Sequence, residues 1–379
     1  MWLDVSMQRI QKSSIINDLK KKMVLLVGPR QSGKTHLAKD IAKSYRHSMY
    51  LNYDQITDRQ IIKNQSWFDK TDLLIFDELH KMPEWKNYLK GVYDTKLEHQ
   101  SILVTGSARL DIFDKIGDSL AGRYFRHRLL PLSLSELKQA NENNDIERLL
   151  ERGGFPEPFF EERPIDANRW RLQYINSILS TDVFEFEKIH NLKGMRLVFD
   201  LLRTKVGSPV SYQSLSEDVG VSSTTIKKYI QILESVYVIF IVTPYSKNIA
   251  RSLLKEPKIY FFDTGLVKGD DGAKLENLVA VSLLKDVYAR VDNKAEECEL
   301  NYVRTKDGKE IDFVIANPEG IEQAIEIKLS DTNLSKFLLN FKEKYNVPSI
   351  QIVKSIKNEY KKNDIHIIKV QNYLNDLYL

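Results

Sequence analysis

Gly28-Pro29-Arg30-Gln31-Ser32-Gly33-Lys34-Thr35 has the spacing G-x-x-x-x-G-K-T. Residues of these types in this order make a phosphate cradle. Glycines let backbone N–H groups close on phosphate oxygens, a lysine brings a positive charge, and a hydroxyl offers an oxygen ligand to Mg2+. We expect Gly28, Pro29, Arg30, Gln31, Ser32, Gly33, Lys34, Thr35 and His36 to surround the phosphates of ATP. Asp77-Glu78 ends the apolar run Leu73–Phe76. Asp77 is expected to hold Mg2+ through water opposite Thr35, and Glu78 to polarise the attacking water as a general base. Thr105-Gly106-Ser107 ends another apolar run, and Ser107 is the candidate for sensing the γ-phosphate. Arg123 leads a cluster with Arg126 and Arg128. It is either a finger that stabilises transition-state charge, in its own or a neighbouring subunit, or a structural partner of Asp118 or Glu136.

A second set of charged residues lies near the C-terminus. Glu310-Ile311-Asp312 and Glu326-Ile327-Lys328 alternate charged and apolar residues with the period of a strand. The turn signal Asn317-Pro318-Glu319-Gly320 joins them. An odd loop or a bulge sets Asp312 opposite Glu326 and Glu310 opposite Lys328; a four-residue loop sets Asp312 opposite Ile325 and splits the carboxylates. We expect the first register. Glu276 sits on the apolar stripe of a helix predicted over 275–288, where a carboxylate needs a partner.

The elements that must position these residues follow from apolar patterning. Strands are predicted at Met23–Val27, Ser48–Asp54, Leu73–Asp77, Ser101–Thr105 and Tyr124–Leu130. A helix near Lys34–Tyr45 follows the first, and Pro83 is expected to open another. Alternating strands and helices indicate a parallel sheet covered on both faces. Ser133 to Gly194 reads as helical with a break at Gly153–Pro158. Ser211–Glu234 reads as helix-turn-helix, followed by a strand, Val236–Val242, that could begin a wing. The second helix of that pair shows Ser223, Thr224, Lys227, Lys228 and Gln231 on its polar face, suited either to DNA contact or to a domain interface. Strands at Asn301–Thr305, Glu310–Ala316 and Gln323–Leu329 belong to a last α/β region. Three domains are expected: 1–132, 133–245 and 246–379.

Composition narrows the class. The chain has 379 residues, 42% of them hydrophobic, with 56 Lys and Arg against 52 Asp and Glu, net +4. That is enough apolar content for packed cores, and it excludes global disorder. The near balance of charge is compatible with acidic metal sites and basic patches in one chain, so DNA or RNA remains a possible partner. The lone Cys298 excludes an internal disulfide framework. No stretch of about 18 apolar residues is present, and Met1-Trp2-Leu3-Asp4 lacks the order of a signal peptide. A cytoplasmic protein with no membrane partner is expected.

GPRQSGKT, LLIFDELHKMP, ILVTGSARL and GDSLAGRYFRHRLLPLSLSEL, in this order, resemble the AAA+-type ATPases of prokaryotes. More narrowly, they resemble the family that pairs this ATPase with a conserved C-terminal domain of unknown function. The resemblance extends to KEPKIYFFDTGL (Lys255–Leu266) and to ENLVA at Glu276, and so covers nearly the whole chain. It implies an AAA+-type P-loop fold with Walker A at Gly28–Thr35, Walker B at Asp77-Glu78, sensor 1 near Ser107 and an arginine-finger region at Arg123, and with it a possible homo-oligomer. No sensor-2 arginine is identified, Arg169 and Arg171 being the candidates. The C-terminal residues resemble the PD-(D/E)XK nuclease core, a restriction-endonuclease-like α/β fold. That resemblance implies Mg2+ on Glu276, Asp312 and Glu326, with Lys328 steering the water. The expected function is a Mg2+-dependent ATPase acting on or near nucleic acid with a nuclease-like C-terminal domain. The alternative is a nucleotide-controlled switch or scaffold whose nuclease-like domain is inactive and serves protein interaction.

Overall fold

The computed structural model describes residues 9–106, 120–142, 144–182, 191–246, 255–305, 307–331 and 333–379. The chain divides into two compact units, 1–131 and 132–379.

The first unit is built on five parallel strands: β1 (Met23–Val27), β2 (Ser48–Asn52), β3 (Leu73–Asp77), β4 (Ser101–Thr105) and β5 (Tyr124–Arg128). Their order is β2-β3-β4-β1-β5. Strands β1 and β3 are buried at every residue, as strands covered on both faces must be. Side chains alternate between two cores. Val24, Leu26, Ile75 and Leu103 pack with Ile15 and Leu19 of α1 (Lys12–Leu19) and Leu37 and Ile41 of α2 (Lys34–Ala42). Leu25, Val27, Phe76 and Val104 pack with Ile62 of α3 (Ile56–Asn64) and Trp85 and Leu89 of α4 (Trp85–Thr95). Pro83 does not open α4 as expected: Glu84 occupies the cap in a left-handed conformation, and the helix begins at Trp85.

The second unit begins with short helices α5 (Leu134–Gln139), α6 (Ile146–Arg152), α7 (Pro156–Phe160) and α8 (Pro164–Ser177). Then come α9 (Leu192–Leu202), α10 (Tyr212–Val219) and α11 (Ser223–Ser235). Gly220, at φ 72°, turns the chain between α10 and α11, and Ser222 caps α11 by accepting from the Thr225 N–H. An eight-stranded sheet follows, made of β6 (Ile239–Pro244), β7 (Lys258–Phe261), β8 (Glu299–Arg304), β9 (Glu310–Asn317), β10 (Gly320–Lys328), β11 (Ser349–Val353), β12 (Tyr360–Lys362) and β13 (Ile365–Lys369). Its order is β12-β13-β11-β10-β9-β8-β6-β7. Three helices accompany it: α12 (Asp271–Lys294), α13 (Lys336–Tyr345) and α14 (Val370–Asn375).

The segment 133–245 does not stand apart from 246–379. Strand β6 pairs antiparallel with β7 and parallel with β8, through Thr243 opposite Asn301. It starts later than the expected Val236 because Tyr237 takes a left-handed φ of 57°. The unit is also tied end to end. Ser135 Oγ donates to the Leu377 carbonyl at 2.8 Å, Asn144 Nδ2 to Asn375 Oδ1 at 3.0 Å, and the Tyr378 N–H to Asp286 Oδ1 at 2.8 Å. Among the described residues no helix is long and apolar enough to cross a membrane.

Candidate active site and carboxylate cluster

The phosphate loop joins β1 to α2, so its backbone runs straight into a helix N-terminus, where unpaired N–H groups attract anions. Three loop residues hold positive φ: Gly28 (139°), Gln31 (63°) and Gly33 (96°). Gly28 is required for a second reason. A Cβ there would lie 2.4 Å from the carbonyl oxygen of Leu129. Leu129 follows β5, and its N–H donates to Val27 at 2.8 Å. Gly28→Ala is therefore expected to push Leu129 off Val27 and distort the loop. Strain and overpacking of this kind cost about 1–3 kcal/mol each. A nucleotide titration should show affinity at least about tenfold weaker, and thermal unfolding a lowered midpoint.

Lys34 is buried and donates to the carbonyls of Gly28 (2.9 Å) and Pro29 (2.6 Å), which folds it back over the loop. Arg30, Gln31, Thr35 and His36 are exposed, whereas Pro29 and Ser32 are buried. Thr35 Oγ1 donates to Asp77 Oδ2 at 2.9 Å. Asp77 also accepts from Tyr50 Oη (2.5 Å), Thr105 Oγ1 (2.5 Å) and the Glu78 N–H (3.1 Å). Two oxygen groups, Thr35 and Asp77, thus meet beside the loop, a donor set that suits a hard cation such as Mg2+. Tyr50 and Thr105 orient the carboxylate, and burial, helped by the hydrogen bond to Asp77 and its charge, pushes the Tyr50 hydroxyl pKa up. Sequence reasoning did not single out Tyr50. Its partnership comes from the β2–β3 register, which sets Tyr50 opposite Ile75, two residues from Asp77.

Glu78 follows β3 in a left-handed conformation, φ 55°. Burial raises its pKa against the opposing pull of Lys81 and Lys34, so its proton affinity is higher than that of a free carboxylate. Its carboxylate lies 3.3 Å from Lys81 Nζ and 3.6 Å from His80 Nε2. Arg9 was not foreseen either. It is buried and donates to the carbonyls of Ser32 (2.8 Å) and Leu130 (2.7 Å), bracing the loop from behind.

Ser107 and Arg123 are the remaining expected members. Ser107 lies outside the described residues. Arg123 stands at the start of β5, beside Met23 at the start of β1, whereas the phosphate loop leaves the other end of β1. Its guanidinium grips Asp94 with two bonds, 2.8 and 3.1 Å, at the surface. Among the described residues of the first unit, Arg123 is therefore a partner of Asp94. Acting on phosphate would need a second copy of the chain. Of the two candidate lid arginines, Arg171 is buried against Asp263 (3.1 Å), and Arg169 lies 3.7 Å from Asp166.

In the second unit the register between β9 and β10 is set by two features that offset each other. Asn317 Oδ1 accepts from the N–H groups of Glu319 and Gly320, making a tight two-residue turn. Alone, that turn continues to Asp312 opposite Ile325. A bulge between Ile321 and Gln323 adds one residue and sets Ile325 opposite Phe313. Asp312 and Glu326 are the next residues beyond that pair and lie within one another's electrostatic field. Asp312 Oδ2 accepts from the Ile327 N–H at 2.7 Å.

Glu276 enters the same region from α12, close to Gly207, where a Cβ would lie 2.6 Å from Glu276 Oε2. It accepts from Tyr260 Oη at 2.7 Å. Lys258 Nζ lies 3.2 Å from Glu276 Oε1 and 3.2 Å from Glu310 Oε2. Lys328 Nζ lies 2.8 Å from Glu326 Oε1, and Arg304 is 2.5 Å from Glu310 Oε1. Burial raises Glu276 to about 7, and burial with the Asp312 charge raises Glu326 to about 7. Asp312 is raised too, first by burial. For Lys258, desolvation pulls the pKa down, but Glu276, Asp312 and Glu310 outweigh it and the net shift is upward. The carboxylates expected to hold Mg2+ are thus drawn together, but onto lysines. Among the described residues no three His, Cys, Asp or Glu side chains form a group able to hold a metal ion. Glu326 Oε2 is buried without a hydrogen-bond partner, the one feature here that a cation would satisfy. The expectation of Mg2+ on Glu276, Asp312 and Glu326 does not fit these residues as they stand.

Three family models match the chain in succession. Residues 20–138 match the family model of an AAA domain. Residues 143–271 and 271–373 match two families described as domains of unknown function, DUF8612 and DUF4143. The uncharacterized protein Rv2008c of Mycobacterium tuberculosis is 27% identical over 321 residues, covering 82% of this chain and 71% of its own. The uncharacterized protein MJ1544 of Methanocaldococcus jannaschii is 25% identical over 369 residues, covering 85% and 80%. Among solved structures, the Walker-type ATPase PABY2304 of Pyrococcus abyssi overlaps with a TM-score of 0.43 at 14% identity, covering 69% of this chain and 95% of its own. The RuvB Holliday junction branch migration motor of Thermotoga maritima overlaps with a TM-score of 0.33 at 18% identity, covering 65% and 93%. Sheet order, phosphate loop and family match together make residues 20–138 a P-loop domain of the AAA ATPase type.

Proposed function

We propose that this chain binds Mg·ATP at Gly28–His36 and hydrolyses it with Glu78 as general base. The observation that carries the reading is the meeting of Lys34, Thr35, Asp77 and Glu78 at one end of β1 and β3. Lys34 exchanges its two loop carbonyls for β- and γ-phosphate oxygens. Thr35 and Asp77 would hold Mg2+, which would neutralise phosphate charge. Tyr50 and Thr105 keep the Asp77 carboxylate in place. Glu78 takes a proton from the attacking water, a task that its raised proton affinity serves. The test is phosphate release by the purified chain with ATP and Mg2+. Lys34→Ala is expected to abolish nucleotide binding and turnover, and undiminished release by that variant removes the site.

The use made of this cycle is best read as switching. The lysine-paired cluster of the second unit supports a domain that contacts other molecules rather than one that cuts them. A nucleic-acid partner is the second reading, favoured by the exposed Thr224, Lys227, Lys228 and Gln231 of α11. Stimulation of ATP turnover by DNA or RNA at low salt, where electrostatic attraction is greatest, separates the two. A homo-oligomer enters through Arg123, which reaches phosphate only if a second chain presents it after releasing Asp94.

A further inference from the structure

Four carboxylates, Glu276, Glu310, Asp312 and Glu326, gather between α12 and the sheet of the second unit. Such a set is stable only if cations or protons offset it. Lys258 is placed to do so. It opens β7, and its side chain is 1% exposed. Its ammonium group lies at equal distance, 3.2 Å, from Glu276 and Glu310, within the field of Asp312 and 5.3 Å from the face of the Tyr302 ring. The donor hydroxyl of Tyr260 completes Glu276 on the oxygen that Lys258 also contacts. Lys328 offsets Glu326 in the same way.

A divalent ion shared by Glu276 and Asp312 would have to sit beside that buried ammonium group. Like charges at such range repel strongly where water is excluded. The unpartnered Oε2 of Glu326 does not reverse the balance, because Lys328 already holds the other oxygen of that carboxylate.

We propose that Lys258 is the resident cation of this cluster, standing where a metal ion would be needed, so that the second unit binds no Mg2+ there. The inference goes beyond ATP hydrolysis and is independent of it. What it supplies is a reason, in one residue, why carboxylates placed in register for metal chemistry are a structural core.

Mn2+ is the probe, followed by the resonance of the free aquo ion. The full chain is used without nucleotide and with Asp77→Asn, so that the phosphate loop does not contribute. With Lys258 present, no Mn2+ site dependent on Asp312 is expected. Lys258→Met is expected to create one, about 100-fold tighter than any residual binding, and Asp312→Asn to remove it again. An Asp312-dependent Mn2+ site in the Lys258 chain overturns the proposal. So does a folded Lys258→Met chain that gains none. If Lys258→Met unfolds without metal, Mn2+ is expected to restore its cooperative melt, and failure to do so counts equally against it. ATP turnover, measured with Asp77 intact, is a separate readout.

Discussion

Glu78→Gln is expected to bind Mg·ATP as the parent chain does and to turn it over about 100- to 10,000-fold more slowly, the usual contribution of a positioned general base. The substitution keeps the shape of the side chain and removes its charge and with it its ability to accept a proton. Its neighbours remain satisfied, since Lys81 also pairs with Asp54 at 2.6 Å. Binding survives because Lys34, Thr35 and Asp77 are untouched. Single-turnover phosphate release measures the rate, and a fluorescent nucleotide measures the affinity. A rate unchanged within about threefold would move the proton elsewhere and remove Glu78 from its role.

The second large effect falls on stability. Arg171→Met is expected to cost about 3–5 kcal/mol, because it leaves the buried Asp263 without its ion-pair partner. Asp263 is 1% exposed. Arg171 Nε donates to its Oδ2 at 3.1 Å, and the Gly265 N–H to its Oδ1 at 3.0 Å. The guanidinium also donates to the carbonyl of Glu151 and to Asn168 Oδ1. Burial raises the Asp263 pKa and Arg171 is its main counterweight. The pair is packed against backbone: a Cβ at Gly153 would fall within 1.7 Å of Asp263 Oδ1, and one at Gly265 within 2.1 Å of Arg171 Nε. Thermal unfolding of the full chain should show the midpoint of the second unit lowered by roughly 6–20 °C. Combining Arg171→Met with Asp263→Leu should recover most of the loss, since an apolar pair leaves no buried charge. A single variant within about 1 kcal/mol of the parent contradicts the account.

Much of the first unit was legible in the sequence. Met23–Val27, Leu73–Asp77 and Ser101–Thr105 are strands at the expected bounds because a short apolar run ended by glycine or acid leaves little choice. The register of β9 and β10 was legible only as a parity. Alternation set Glu310 with Asp312 and Glu326 with Lys328, but whether the two pairs meet rested on an odd loop or a bulge, and the structure uses a tight turn followed by a bulge. The start of β6 was misplaced because Tyr237 adopts a backbone conformation that its side chain does not advertise. The helix carrying Glu276 runs longer than expected, Asp271–Lys294, since Asp270 caps it earlier and Ala295 ends it in a left-handed conformation. Lys258 escaped notice for a different reason. A lysine before an apolar strand reads as a solvated end, and its meaning depends on β7 folding back beside β6 and α12, contacts remote in sequence.

The end-to-end ties of the second unit carry a consequence for synthesis. On the ribosome, every strand of the first sheet is available once Arg128 has emerged. Helix α5 follows within a few residues, but its partner for Ser135 lies 242 positions further on. At about 5–20 residues per second, α5 waits about 12–48 s for residues that cover it. Over that interval Leu134 and Leu137, both fully buried at the end, have no native cover from α14. Nascent-chain holdases that recognise short apolar helices are thus expected to meet this protein at 134–139, while the rest of the second unit is still being made.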